Sequence, residues 1–267
     1  MNELKLRVIT ATILFAAAVG WLFYLPSFWF DVVLGGVAVA ATTELLCMVD
    51  MPRRVWFALL AVLMWAILIG THGYGMFMPM AWLILMLGWF GVLLFLVGDE
   101  PLQMVFQKML YAQWMMLWLM LFVVVVMQLH AHQHGVAFIA GACVGIWVSD
   151  IAAYFTGRAL GKRKLCPAVS PGKTWEGFAG GVLGGVISAA LVWVFWAEVP
   201  LFLAIALALL LVVSGVIGDL AESALKRVVG VKDSGNMLPG HGGLLDRIDA
   251  LLPALPLAGL LWMICCG

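Results

Sequence analysis

The expected fold class is all-α, a polytopic integral membrane protein with about nine transmembrane helices and a cytoplasmic N-terminus. Three observations predict it. Of 267 residues, 65% are hydrophobic and only 10% charged, against roughly 45–50% and 25% in soluble domains. Apolar windows fall near residues 7–25, 28–49, 54–70, 76–97, 113–130, 135–156, 177–197, 200–218 and 250–266, each close to the ~20 residues that cross a bilayer as a helix. Threading these windows from a cytoplasmic N-terminus places all 14 Lys and Arg residues on one side, as the positive-inside rule requires. Net charge is zero, so nothing in the charge balance indicates a nucleic-acid partner.

At the N-terminus, Lys5 and Arg7 precede an apolar run containing Ala16, Ala17 and Ala18, a pattern shared with signal peptides. The run continues through Trp21 to Leu25, so an uncleaved first helix is expected, and Pro26-Ser27 marks the break before the second. Among the first four spans the acidic residues are Asp31, placed near the interface, and Glu44, which lies deeper and either pairs with a neighbouring helix or marks function. Residues 98–112 form a cytoplasmic connection whose Leu102, Val105, Phe106, Met109 and Leu110 recur at helical spacing, which predicts a short interfacial helix. Residues 1–112 are therefore read as an N-terminal helical region. Residues 113–267 are read as the catalytic region, with cytoplasmic loops at 157–176 and 219–249. The five cysteines show no CxxC spacing and read as small packing residues. His130, His132 and His134 alternate in a turn on the far side of the membrane and read as structural or solvated. Trp21, Trp29 and Trp196 fit interfacial anchors.

The chemistry concentrates between Asp219 and Asp249. That stretch holds nine charged residues, Asp219, Glu222, Lys226, Arg227, Lys232, Asp233, Asp246, Arg247 and Asp249. Asp219 and Glu222 are three apart and share a helix face if the preceding helix continues; Asp246 and Asp249 repeat the spacing before the last span. Paired carboxylates at two helix ends suit one or two hard divalent cations, with substrate phosphates completing the ligand shell. Acids at or inside a membrane boundary are costly enough to signal function. The cations between them suit phosphate, arginine through a forked contact and lysine as a point charge. Pro239-Gly240-His241-Gly242-Gly243 permits a tight turn whose amides can face an anion.

In the other loop, Ser170-Pro171-Gly172-Lys173-Thr174 resembles the end of a P-loop, but Pro167 stands where the first glycine belongs. What remains is a Lys-Thr pair opening a helix, a place suited to anions. Asp150 sits inside the end of its span, where a metal, nucleotide or lysine partner is expected. Gly180, Gly181, Gly184 and Gly185 supply small-xxx-small pairs for close helix packing.

The segment Ser223-Ala-Leu-Lys-Arg, four residues, Lys232-Asp-Ser-Gly, two residues, then Leu238 through Asp249 resembles the signature of the phosphatidate cytidylyltransferases, the CDP-diacylglycerol synthases, without a departure. The Ser170–Gly181 stretch is also similar to a family segment, so the resemblance covers residues 145–250. It implies a Mg²⁺-dependent membrane enzyme that makes CDP-diacylglycerol and pyrophosphate from CTP and phosphatidic acid. It also implies Asp219 and Asp246 as metal ligands, with Lys226, Arg227, Lys232, His241 and Arg247 around the phosphates.

Taken together, the expected catalytic set is Lys226, Arg227, Lys232, Asp233, His241 and Arg247. Ser170, Lys173, Thr174, Ser223, Gly242 and Gly243 are expected to bind substrate, and Asp219, Asp246, Asp249, Asp150 and Glu222 to hold metal. A monovalent cation and a homodimer are allowed additions, and a bacterial inner membrane with the site facing the cytoplasm is the expected location. Two other readings stay open: a CTP-dependent transferase acting on another lipid, and a cation-coupled transporter. Transporters often show inverted repeats and helices broken near the midplane, whereas this charge lies mainly in loops without a repeat.

Overall fold

In the computed structural model, residues 3–51, 54–72, 101–238 and 242–266 are described. The chain divides into two compact units, Met1–Leu119 with Asp233–Leu245, and Met120–Lys232 with Asp246–Gly267.

The first unit contains α1 (Glu3–Tyr24), α2 (Ser27–Met48), α3 (Arg54–His72) and the start of α4 (Leu102–Ala131). Pro26 separates the first two helices at φ −58° and ψ 149°, an extended pair of angles that cannot continue a helix. Across that corner the Trp21 ring stacks on Phe30 at 4.7 Å, and its Nε1 donates to the Phe30 carbonyl at 3.1 Å. The core lies between α2 and α3, where Leu34, Ala38, Ala41 and Leu45 are buried with Trp65 and Leu68. Trp65 Nε1 donates to Thr42 Oγ1 at 3.3 Å, which satisfies a buried indole. At the end of α2, Asp50 adopts φ 48°, and Lys108 Nζ donates to its carbonyl at 2.9 Å.

The second unit holds the rest of α4 and α5 (Gly135–Leu160), then β1 (Lys164–Cys166) and β2 (Ser170–Thr174). It continues with α6 (Trp175–Phe195), α7 (Leu201–Val228), most of the short turn α8 (Leu245–Ile248), and α9 (Leu251–Cys266). Its tightest seam joins α5 to α6. A Cβ on Gly181 would stand 3.0 Å from the Ser149 carbonyl, one on Gly184 2.9 Å from the Ala152 Cβ, and one on Gly185 2.8 Å from the Gly145 carbonyl. Gly180 faces the Thr156 side chain in the same way. All four glycines thus permit the close approach expected of them. Farther along, Phe138 stacks on Trp193 at 4.4 Å and on Trp262 at 4.8 Å, and Trp193 Nε1 donates to the Phe138 carbonyl at 2.9 Å.

Gly185→Leu is therefore expected to remove folded protein from detergent extracts. The new side chain would meet Val212 and Ser149 as well as backbone, and overpacking a filled site costs about 1–3 kcal/mol or more. Gly36→Ala, with nothing within 4 Å of the added carbon, should leave the melting temperature level or raised. Thermal melts of the two variants compare a packed glycine with an unpacked one.

The all-α reading holds, with local differences. Six helices among the described residues are long and apolar enough to cross a membrane, and Phe15–Tyr24 and Phe57–Thr71 are shorter apolar helices. The expected span at 76–97 lies outside the described residues. The interfacial helix and the span expected at 98–112 and 113–130 are one 30-residue helix, Leu102–Ala131. At 1.5 Å per residue it is about 45 Å long, so an interfacial stretch and a crossing need no break between them. The loop at 157–176 contains an antiparallel two-stranded hairpin. The segment from Asp219 begins as ten further residues of α7, because Ala, Leu, Glu, Lys and Arg all favour helix.

Candidate active site

Asp219, Ser223, Glu222 and Lys226 all ride on the last two and a half turns of α7, so spacings of three and four residues set their neighbours. Glu222 is 1% exposed and Lys226 8% exposed, and Lys226 Nζ lies 3.4 Å from Glu222 Oε1. The same ammonium reaches Asp246 Oδ1 at 2.5 Å. One buried cation therefore joins α7 to the turn that precedes the last helix.

The second ion pair is built from the hairpin. β1 and β2 pair antiparallel, Lys164 opposite Thr174 and Cys166 opposite Ser170. At the open end, Trp175 donates its amide to the Arg163 carbonyl at 2.9 Å, and Glu176 Oε2 accepts the amides of Lys162 and Arg163 at 3.0 and 3.3 Å. Thr174 closes the junction as the N-cap of α6, its Oγ1 accepting from the Gly177 amide at 3.1 Å. Lys173, fixed between these anchors, puts Nζ 2.5 Å from Asp219 Oδ2. Ser223 Oγ donates to the other oxygen of Asp219 at 3.3 Å.

The last helix approaches the same place closely. A Cβ on Gly218 would meet Pro253 Cγ at 2.5 Å and the Asp249 carbonyl at 2.7 Å, so glycine beside Asp219 lets the Asp249–Pro253 backbone lie against α7. Asp249 Oδ1 accepts from the Ala250 amide at 2.7 Å, and the charges of Asp219, Lys226 and Asp150 act on it. Asp150 is exposed, with Asp219 and Lys173 as its electrostatic neighbours.

The second unit thus gathers Asp150, Asp219, Glu222, Asp246 and Asp249 around two lysines, Lys173 and Lys226. Arg227 and Lys232 are exposed on the segment that leaves α7, and Arg247 is exposed on the turn of Asp246. Arg227 and Lys232 make no ion pair among the described residues. Ser170 is half-buried at the start of β2. The oxygen of Thr174 is engaged in capping, so it acts on Lys173 by position. In the first unit, Asp233 is exposed, Gly242 adopts φ 78° and accepts from the Leu238 amide at 3.0 Å, and Gly243 is buried. His241 lies outside the described residues.

Among the described residues no three acidic, histidine or cysteine side chains form a ready metal cage. The donor chemistry still suits a hard cation. Both carboxylate oxygens of Glu222 are buried without a hydrogen-bond partner, although Lys226 stands 3.4 Å away. Five carboxylates face two ammonium groups, and oxygen donors with surplus negative charge are what Mg²⁺ takes. His132 meets the edge of Trp262 at a centroid distance of 4.8 Å, a packing contact.

Two residues without an assigned role in the sequence reading matter here. Glu176 ties the base of the hairpin, and its signal was an acid in the first turn of a helix that follows a basic run. Glu44, in the first unit, accepts from the Leu245 amide at 2.8 Å across 201 residues of chain; an acid inside an apolar window was the available sign.

Apolar helices long enough to cross a membrane and a cluster of carboxylates and lysines describe an integral membrane protein with a polar site, and the chain belongs to the cytidylyltransferase family, whose model matches residues 5–265. It is 37% identical over 275 residues to the phosphatidate cytidylyltransferase of Pseudomonas aeruginosa, covering 97% of each chain. The Haemophilus influenzae phosphatidate cytidylyltransferase is 33% identical over 280 residues, covering 95% of this chain and 96% of its own. The phosphatidate cytidylyltransferase of Bacillus subtilis is 51% identical over 125 residues, 46% of each chain.

Proposed function

We propose that the chain transfers CMP from CTP to phosphatidic acid, releasing pyrophosphate and leaving CDP-diacylglycerol in the bilayer. One observation carries this reading: a chain with six helices long and apolar enough to cross a membrane, related over nearly its whole length to phosphatidate cytidylyltransferases, gathers cations and surplus carboxylates in its second unit. A transporter has no need of that relationship.

In the reaction a phosphate oxygen of phosphatidic acid forms a new P–O bond to the α-phosphorus of CTP. The bond from that phosphorus to the α,β-bridging oxygen breaks, and pyrophosphate leaves with the electron pair. No protein nucleophile is required. The barrier comes from bringing two anions together, which favours catalysis by positioning and charge. Lys173 and Lys226 oppose the phosphate charge from two directions, and Arg227, Lys232 and Arg247 add cations where water can carry CTP in. Asp219 and Asp246, with Asp249 and Glu222 beside them, are the residues to hold Mg²⁺. When bound, the metal supplies Lewis-acid neutralisation of phosphate oxygens. Lys173 and Lys226 hold Asp219 and Asp246 in place through their ion pairs.

The site is assigned to the cytoplasmic face of a bacterial inner membrane, supported by the 14 basic residues that thread to one side and by the bacterial relatives. The test is a purified preparation given Mg²⁺, CTP and phosphatidic acid, with lipid-linked CMP and pyrophosphate measured together. Equal release of both is the expected result. Turnover of a polyprenyl or ether-lipid phosphate in preference to phosphatidic acid would reassign the acceptor, and no turnover of any lipid would overturn the reading. EDTA should abolish the reaction and added Mg²⁺ restore it.

A further inference from the structure

Glu44 is an acid one turn before the end of a 22-residue apolar helix and is 5% exposed. A buried carboxyl group there is expensive unless the protein uses it. Against it stand Gly235, Gly243 and Leu245, all of the first unit. Oε2 accepts from the Leu245 amide at 2.8 Å, a buried hydrogen bond. Oε1 has no hydrogen-bond partner among the described residues. It stands instead against the two glycines.

The three atoms nearest to a Cβ built on Gly235 are Glu44 Oε1, Cδ and Cγ, the first in outright overlap. A Cβ on Gly243 would overlap Ser234 Oγ and Glu44 Oε1, and would stand 2.8 Å from Glu44 Cδ. The chain has therefore no side chain at the two points where it packs on the Glu44 carboxyl group. The contact with Leu245 also fixes the first residue of the turn whose next residue is Asp246.

We propose that Glu44 is a positioning residue, a buried strut against which residues 233–238 and 242–245 pack, so that α2 sets the conformation of those residues in CMP transfer. This rests on the CMP-transfer reading, and it extends the site residues into a helix that the signature does not include. Glu44 acts through the Leu245 amide and through the space that Gly235 and Gly243 leave for it.

The experiment pairs Glu44→Ala with Gly235→Ala and the double variant, in the full chain in detergent or nanodiscs. Hydrogen exchange of peptides covering 233–238 and 242–249 is read beside kcat and KM for CTP. Removing Glu44 leaves the Leu245 N–H buried without its acceptor, so exchange there should rise roughly tenfold, the scale of a buried unmet donor. kcat should fall and Glu44→Gln, which keeps an acceptor oxygen, should recover part of it. Gly235→Ala should loosen those residues in the parent chain, yet do little more in the Glu44→Ala background, because the atoms it strikes are then gone. Additive effects of the two substitutions, or a folded Glu44→Ala protein with parental exchange and kinetics, would overturn the proposal. If Glu44→Ala does not fold, Glu44→Asp takes its place: the shortened side chain should relieve Gly235→Ala, and failure to do so overturns the strut equally. A parent protein inactive on CTP and phosphatidic acid would defeat the functional reading alone, while the exchange data would still decide the role of Glu44.

Discussion

Lys226→Met should cost this protein both its activity and several kcal/mol of stability, and the two losses should separate. The ammonium is buried between Glu222 and Asp246 at 3.4 and 2.5 Å. Methionine keeps most of the volume and removes the charge, so two carboxylates are left facing each other with one fewer cation. Breaking a buried pair by removing one partner destabilises by about 3–5 kcal/mol, mostly through the charge left behind. Lys226→Met with Glu222→Gln should recover much of that stability, since one of the stranded charges goes too. On the proposed reading it should not recover CMP transfer, because the cation assigned to oppose the phosphates is missing. Melting temperature and turnover of the single and double variants, measured together, check this; activity returning in step with stability would make Lys226 a structural residue.

Lys173→Met should behave in the opposite way, with a large kinetic loss and almost no change in stability. Its pair with Asp219 is also 2.5 Å long, but the two side chains are 29% and 28% exposed. Partly solvated pairs contribute about 0–1 kcal/mol, so the fold should survive with a level melting curve. Catalysis is another matter. Loss of one preorganised charge aimed at a phosphoryl centre costs on the order of 10²- to 10³-fold in rate. Lys173→Arg should restore only part of this, because a planar fork on a fixed strand does not reproduce a point charge. Rates with saturating CTP and phosphatidic acid distinguish a lost transition-state contact from weakened binding, and unchanged kinetics for both substrates would leave Lys173 an ordinary basic loop residue.

Much of this site was legible because membrane topology carries long-range information that soluble sequences lack. The side of the bilayer on which Lys173 falls follows from counting spans, and that count places it with Asp219 although 46 residues separate them. Helical spacing likewise gave the Asp219 and Glu222 pair, since α7 does continue past Asp219. The hairpin at Lys164–Thr174 was not legible. Strands of three and five residues are too short to show alternation, and Pro167, Pro171 and the basic run all read as loop. The partner of Glu44 was hidden for a different reason: a hydrogen bond to a backbone amide depends on no residue type at the other end, so nothing in the sequence marks Leu245 as its donor. Glu176 fell between these cases, visible as a first-turn acid yet without any sign that it would clasp the two amides upstream.

The helix Trp175–Phe195 has its glycines on one side and, on another, Leu183, Ile187, Leu191 and Phe195, spaced by four and all exposed on the protein surface. In a bilayer that greasy stripe fixes how high the helix floats, and Lys173 is joined to its first turn through a single capped threonine. Membrane thickness then becomes a variable of the site: thinner or thicker acyl layers would press the stripe to a new depth, at a fraction of a kcal/mol per ångström of mismatch, and raise or lower the Lys173 ammonium with it. Lipid composition would in this way tune the enzyme that supplies the precursor of those same lipids.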